Sequence, residues 1–75
     1  MPKLPRVSGS EAIRVPEKLG FVRIRQKGSH VILKKETGAG AIGCVVPVHD
    51  ELATGTLRGI LKQAHVDPEE FAKML

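Results

Sequence analysis

The pattern of apolar and polar residues begins with one helical segment. Ser8 is followed three positions later by Glu11, which is the spacing of a capping box at the start of a helix. The apolar residues behind it recur at helical spacing and form one stripe: Ala12, Ile13, Val15 and Leu19. Pro16 removes one helical hydrogen bond and clashes with a carbonyl in the preceding turn, so we expect a kink, or a helix that breaks at Val15. Gly20 predicts the end of this helix.

Three segments rich in β-branched residues follow, and they predict strands at residues 21–26, 30–36 and 41–48. Gly28 and Ser29 are turn residues, so the first two strands are expected to form a hairpin. Side chains alternate between the two faces of a strand. This alternation predicts two sets of residues that share a side: Phe21 with Arg23 and Arg25, and His30 with Ile32 and Lys34.

The last third of the chain predicts two helices. Thr54 is a favoured N-cap residue, and apolar residues at helical spacing continue from there to Ala64. Asp67 followed by Pro68 predicts the start of a short final helix. The main order is helix, three antiparallel strands, helix, an α+β fold in which the helices cover one sheet face and the other stays open. This αβββα order is that of double-stranded-RNA-binding domains, as a fold-level analogy.

The length and the cysteine content limit the class of protein. The 75 residues suffice for one small domain, which we place at residues 1–75. Pro2 and Pro5 disfavour regular pairing, so residues 1–7 are predicted to form a flexible arm. Cys44 is the single cysteine, which suits a reducing compartment. No apolar run approaches the ~20 residues of a membrane span, so we expect a soluble cytoplasmic protein.

Positive charge is concentrated in the first half of the chain. Residues 1–35 contain nine Lys or Arg against two Glu, whereas residues 36–75 contain three against six acidic residues. A basic half and a pI near 9.7 favour a polyanionic partner, and we expect RNA or DNA rather than a merely solvated basic face. Phe21 and Phe71 are the only aromatic residues and both suit the core. Contacts to phosphate and sugar, rather than stacking on bases, would therefore supply affinity.

His30 is the candidate catalytic residue. Histidine is the residue type most often used as a general acid or base, and Arg25 and Lys27 precede it closely, a combination that suits chemistry on a phosphodiester. As a general base or acid it could promote attack of an RNA 2′-hydroxyl on the adjacent phosphate, a step that requires no metal ion. The alternative is a strand-end histidine that only hydrogen-bonds the turn, since no second titratable partner adjoins it in sequence.

The remaining candidate groups point to less specific roles. His49 follows the third strand and could act as a second acid or base or bind phosphate, although a turn-stabilising role is favoured. His65 follows the second helix, where a structural role is expected. The chain has no CxxC and no HxxxH spacing, so we predict no metal and no cofactor. Cys44 lies among apolar neighbours and is predicted to be a buried, unreactive thiol.

Four sequence blocks resemble one known family. They are LGF at 19–21, QKGSH at 26–30, VPVH at 46–49 and GTLRGILKQA at 55–64. In this order and spacing, residues 8–72 closely resemble the HicA toxin family. The resemblance implies a double-stranded-RNA-binding-like fold and a ribosome-independent mRNA interferase of a type II toxin–antitoxin system, with the family's catalytic histidine at His30. It also implies a HicB-type antitoxin that masks the active site in an inactive complex.

We therefore predict a metal-independent endoribonuclease toxin that cleaves mRNA. His30 would be the general base or acid, and the predicted RNA-binding residues are Arg25, Lys27, Gly28, Ser29 and Lys34. The two turn residues would shape the corner, and the three cations would hold phosphate. The alternatives are a non-catalytic double-stranded-RNA-binding or antitoxin-binding module on the same fold, and a structural subunit without RNA affinity. The open sheet face around Ile32 is the expected antitoxin surface.

Overall fold

The chain folds as a three-stranded antiparallel sheet with helices packed on one of its faces. The structure is a computed structural model and describes residues 4–75. Its elements are α1 (Gly9–Lys18), β1 (Val22–Lys27), β2 (His30–Thr37), β3 (Gly40–Pro47), α2 (Thr54–Ala64) and α3 (Pro68–Met74). The strands lie in the order β1-β2-β3. The predicted α+β architecture, with the αβββα order of double-stranded-RNA-binding domains, is confirmed.

α1 begins at the predicted capping box. The Glu11 backbone N–H donates to Ser8 Oγ at 3.1 Å, and the Ser8 N–H donates to the Glu11 carboxylate at 3.0 Å. These two bonds satisfy N–H groups that have no partner within the helix. The Ser8 backbone N–H, and secondarily the Ser8 side chain, hold the pKa of the Glu11 carboxyl below its usual value. The start of α1 is therefore determined by residues within one turn of each other.

α1 does not break at Val15, as one reading of the sequence predicted, but continues through Pro16 to Lys18. Pro16 lies near the end of the helix, so its missing N–H removes one hydrogen bond where little helix remains to be disrupted. Its carbonyl oxygen accepts from the Phe21 N–H at 2.9 Å, and the residue is buried. Gly20 follows with a φ of +101°, a conformation that favours glycine, and the helix ends there as predicted.

Ile24 is a bulge residue in β1, and it changes which side chains share a face. The register pairs Arg23 with Leu33. It then pairs Arg25 with Ile32, so Ile24 has no partner on β2. Because residues paired across antiparallel strands point to the same face, Arg23 lies on the face of buried Leu33 and Arg25 on the opposite face. The predicted shared side of Arg23 and Arg25 is therefore wrong, since the inserted residue reverses the alternation between them.

The core lies between the helices and one face of the sheet. Val31 and Leu33 of β2 are buried, whereas Ile32 between them is half-buried, and Cys44 and Val46 continue the buried side on β3. The helices contribute the following buried residues: Ala12, Ile13 and Val15 from α1, Leu57, Ile60, Leu61 and Ala64 from α2, and Phe71 from α3. This arrangement leaves the second face of the sheet exposed, and the candidate site lies on that open face.

The flexible arm predicted at residues 1–7 does not extend to Val7. Val7 is buried, and its carbonyl oxygen accepts from the Leu52 N–H at 2.8 Å. Burial of an apolar side chain together with a backbone hydrogen bond fixes this residue against the segment that follows β3. Leu4 also packs against the core, and residues 1–3 lie outside the described part of the chain.

The two C-terminal helices begin close to their predicted positions. Ala53, rather than Thr54, is the N-cap of α2; its backbone is extended with a ψ of 145°, and it supplies no side-chain hydrogen bond. Thr54 is therefore the first helical residue. α3 begins as predicted, because Asp67 accepts from the Glu69 N–H at 2.9 Å and Pro68 occupies the first turn. Within residues 4–75, none of the helices combines the length and the hydropathy that a membrane span needs.

Candidate active site

The β1–β2 turn places Lys27 directly opposite His30. These two residues pair across the strands, so Gly28 and Ser29 alone form the turn between them. Gly28 has a φ of +59°, and a positive φ at only the first of two central residues is the pattern of a type II′ hairpin turn. The Gln26 side-chain amide donates to the Gly28 carbonyl at 3.0 Å. The turn is therefore tight and holds the first residue of β2 in a defined position.

The end of β3 hydrogen-bonds this turn, and the start of α1 in turn hydrogen-bonds the end of β3. The Val48 N–H donates to the Ser29 carbonyl at 2.6 Å, and the Gly9 N–H donates to the His49 carbonyl at 2.8 Å. A Cβ on Gly9 would lie 2.1 Å from the Pro47 carbonyl oxygen, a distance that no side chain tolerates. Three separate parts of the chain thus meet at one corner of the molecule, which we call the turn corner: residues 28–30, 47–49 and 8–9.

The open sheet face carries His30 together with all three predicted phosphate-binding cations. Lys27 lies opposite His30, and Arg25 lies opposite Ile32, which follows two positions after His30 on the same face. Lys34 is on that face as well, since it is four positions from His30 on an alternating strand. All four polar residues are exposed. The arrangement is a titratable imidazole beside a row of positive charges on one accessible surface.

The charges of this row are available to an outside anion. Within residues 4–75, the ion pairs join Arg6 to Glu51 at 3.8 Å and Arg23 to Glu17 at 3.2 Å. The bulge directs Arg23 toward α1, where its guanidinium also hydrogen-bonds the Glu17 carboxylate. Arg25, on the other side of the bulge, belongs to neither pair. The bulge therefore gives the two arginines of β1 different surroundings: Arg23 pairs with Glu17 of α1, and Arg25 faces the candidate site.

The structure brings His49 toward His30 and leaves His65 elsewhere. His49 follows Pro47 by two positions, and Pro47 is the β3 partner of His30. The exposed His49 is thus part of the turn corner, with its backbone carbonyl bound by Gly9. His65 is the C-cap of α2 with a left-handed φ of 56°, and its N–H donates to the Lys62 carbonyl at 3.3 Å. The sequence placed His49 after β3 and His65 after α2, but it contained no signal that His49 would lie at the same corner as His30.

Cys44 and the cavities of the molecule are separate from this corner. Cys44 is buried as predicted, and burial raises the pKa of its thiol from the ordinary 9.0 to about 11, which keeps it protonated and unreactive. The described residues contain no group of three or more His, Cys, Asp or Glu side chains placed to hold a metal ion. Three surface cavities of about 240 to 340 Å³ lie elsewhere, and none of them is lined by a candidate site residue. The candidate site is an exposed surface, a shape that suits a polymer better than a small enclosed ligand.

The contact between Gly9 and the end of β3 has no local signal in the sequence. Gly9 and Pro47 are far apart in sequence, and a glycine in the first turn of a helix carries no sign of what packs against it. The same holds for the bond from Val48 to Ser29. The contacts that link the turn to β3 and α1 are therefore apparent only in the folded structure.

Comparison with known families agrees with the resemblance seen in the sequence. The family model described as "HicA toxin of bacterial toxin-antitoxin" matches residues 9–66, which is more than half of the 75-residue chain. No curated protein sequence matches the chain significantly. The matched region runs from the first residue of α1 to just beyond α2 and includes the whole sheet and the turn corner. On this match, the chain belongs to the HicA toxin family of bacterial toxin–antitoxin systems.

Proposed function

We propose that this HicA-family toxin is an endoribonuclease that cleaves mRNA in the cytoplasm, independently of the ribosome and of metal ions. The observation that carries the proposal is the pairing of Lys27 with His30 at a tight turn, on the same open face as Arg25 and Lys34. An imidazole that can accept or donate a proton, placed beside fixed cations, is suited to chemistry on a phosphodiester. The exposed shape of the corner admits a long RNA strand.

His30 acts as the general base or acid of the reaction. As base, its imidazole takes the proton of an RNA 2′-hydroxyl, and the 2′-oxygen attacks the adjacent phosphorus. The bond from phosphorus to the 5′-oxygen then breaks, that oxygen takes up a proton from water, and His30 releases the proton that it took to solvent. The products are a 2′,3′-cyclic phosphate and a 5′-hydroxyl end. Proton transfer of this kind typically contributes ~10²–10⁴-fold to the rate.

The cations position the substrate. Lys27 and Arg25 lie next to His30 on the open face and contact the phosphate that reacts, while Lys34 holds a phosphate further along the strand. The backbone of Gly28 and Ser29 shapes the corner in which the reacting phosphate sits. With few aromatic residues to stack on bases, affinity comes mainly from phosphate contacts and falls steeply with salt.

The partner of this toxin is a HicB-type antitoxin that forms an inactive complex with it. Membership of a toxin–antitoxin family supports an antitoxin partner, and the candidate site is exposed enough to be covered by one. The competing function is a non-catalytic module on the same fold that binds double-stranded RNA or the antitoxin. It is favoured by one feature: among the side-chain hydrogen bonds within residues 4–75, none joins His30 to a second acid–base group.

The test compares His30→Ala with His65→Ala, a matched change at another exposed histidine outside the turn corner. We expect His30→Ala to abolish growth arrest on induction in a bacterial host and to reduce cleavage of purified naked RNA by at least ~10²-fold. His65→Ala should retain both activities. Cleavage should persist in EDTA, and circular dichroism should give a similar melting temperature for His30→Ala and the wild type. A His30→Ala protein as toxic as the wild type overturns the catalytic assignment, and a wild type that binds RNA without cutting it favours the module.

A further inference from the structure

The two outer strands of the sheet differ in how their edges are covered. At the β3 edge, α2 packs against the strand, and the Gln63 side-chain oxygen accepts the Val45 N–H at 3.3 Å. At the opposite edge, β1 has a neighbour on one side only, and all six of its residues are exposed. An edge strand presents a row of unpaired N–H and C=O groups to solvent, and such a row is a template for another strand. The β3 edge is thus partly covered, by α2 near Val45, whereas the β1 edge is open.

The open edge also carries the two most exposed large apolar side chains of the described chain. Val22 is 63% exposed and Ile24 is 55% exposed, ahead of the other exposed large hydrophobic residues. By contrast, Ile32, which the sequence placed at the centre of an antitoxin surface, is half-buried. A strand that pairs with an open edge gains main-chain hydrogen bonds, and it gains specificity from apolar side chains of this kind. The pair Val22 and Ile24 therefore marks β1 as a docking edge for protein.

The charge of β1 selects the kind of strand that can pair with it. Arg23, Arg25 and Lys27 alternate along the strand, which contains no acidic residue. A second copy of the chain would set these cations against one another, and like charges directly opposite are destabilising. RNA would complement the charge but offers no apolar side chains for Val22 and Ile24. The combination favours an extended protein segment in which acidic and apolar residues alternate.

We propose that the antitoxin binds this toxin by adding an acidic, partly apolar strand to the free edge of β1. The inference rests on the proposed function, because it specifies how the proposed antitoxin partner reaches the proposed active site. β1 ends at Lys27, the residue that pairs with His30, so a strand along its ~20 Å length (~3.3 Å per residue) would reach the turn corner. Acidic residues of that strand would neutralise Arg25 and Lys27, the cations assigned to substrate phosphate. Strand addition would thereby exclude RNA without any change in the toxin fold.

The test uses the full-length chain and the protein encoded by the neighbouring gene, with calorimetry to measure the dissociation constant. Val22→Glu and Ile24→Glu each place a negative charge on the free edge, and Val45→Glu is the matched change on the exposed side of β3. We expect at least ~10-fold weaker binding for each β1 variant and less than ~3-fold change for Val45→Glu. Binding of the β1 variants as tight as wild type, or an equal loss at Val45, would overturn the strand-addition mode.

Amide hydrogen exchange on the wild-type toxin, alone and in complex with the antitoxin, provides a test that does not depend on whether the variants fold. Strand addition should slow exchange of the outward-facing amides of β1 in the complex by at least ~10-fold, which a contact made only by side chains would not do. Unchanged exchange along β1 in a formed complex overturns the inference while leaving the antitoxin partnership intact. If the wild-type proteins form no complex, the antitoxin partnership itself is wrong and the inference falls with it, whereas RNA cleavage is judged separately by His30→Ala.

Discussion

Gly9 and Pro47 approach so closely that a Cβ on residue 9 would stand 2.1 Å from the Pro47 carbonyl oxygen and 2.7 Å from the Val48 Cα. Both neighbours are backbone atoms, which cannot move aside as the end of a long side chain can. The contact packs the start of α1 against the end of β3, next to the turn that precedes His30. Glycine at position 9 is therefore required by the approach of two backbones rather than by the conformation of its own backbone.

Gly9→Ala should destabilise the protein and disturb the turn corner. Forcing a methyl group into this contact costs roughly 1–3 kcal/mol, because the start of α1 or the end of β3 must shift. Urea unfolding followed by circular dichroism measures the stability, and cleavage of naked RNA measures the effect on the site. We expect cleavage to fall even under conditions in which the variant remains folded.

Gly59→Ala is the matched control for this prediction. Gly59 lies inside α2, and a Cβ there would meet nothing within 4 Å. Alanine in a helix interior is favoured over glycine by up to ~1 kcal/mol, so this variant should be more stable than the wild type. Equal destabilisation by Gly9→Ala and Gly59→Ala would contradict the importance of the Gly9–Pro47 contact.

Arg25→Ala should weaken RNA binding, whereas Arg23→Ala should not. The bulge at Ile24 places Arg25 on the face of His30 and directs Arg23 to Glu17. Loss of one phosphate contact should lower the slope of log affinity against log salt by ~1. Fluorescence anisotropy of a labelled RNA at several salt concentrations measures both effects. If the two variants lose affinity and salt dependence equally, the bulge does not separate their roles.

Ser8→Ala should lower the free energy of unfolding by ~0.5–2 kcal/mol, because Ser8 Oγ accepts the Glu11 N–H at the start of α1. Ser10→Ala provides the comparison, since Ser10 is an exposed serine within the same helix and makes no cap. Thermal melts of both variants would measure the difference. A Ser8→Ala protein as stable as Ser10→Ala would show that the capping box contributes little here.

Cys44 should make the protein less stable as the pH rises above about 9. Burial raises the pKa of its thiol from 9.0 to about 11, so between these values the folded state keeps a proton that the unfolded state loses. Deprotonation of the unfolded chain then favours unfolding, and the stability that the protonated thiol contributes declines with pH. The Cys44→Ala variant lacks this contribution.

The measurement is the unfolding free energy of the wild type and of Cys44→Ala in urea at pH 8, 9 and 10. The stability advantage of the wild type over Cys44→Ala should shrink as the pH increases, which isolates the thiol from the other groups that titrate in this range. An advantage that stays constant across the series would mean that the folded thiol titrates at its ordinary pKa.

Much of the architecture followed from the sequence, because the signals involved are local. The Ser8–Glu11 capping box and the Asp67 cap formed as predicted, since each depends on atoms within one helical turn. The alternation of β2 also held, with Val31 and Leu33 buried, Ile32 between them half-buried, and His30 and Lys34 on the face of Ile32 exposed. The four sequence blocks indicated the family, and the match over residues 9–66 agrees with them.

What only the tertiary structure decided concerns residues that are distant in sequence. The bulge at Ile24 depends on the register between β1 and β2, and no count of alternating positions within β1 reveals it. The close contact between Gly9 and Pro47 depends on how α1 packs against the end of β3. His30 was identifiable as a candidate from the chain alone, whereas the division between Arg23 and Arg25, which sets the charge around it, required the fold. Caps and periodicity act over three or four residues, but register and close backbone approach arise only when separate elements pack.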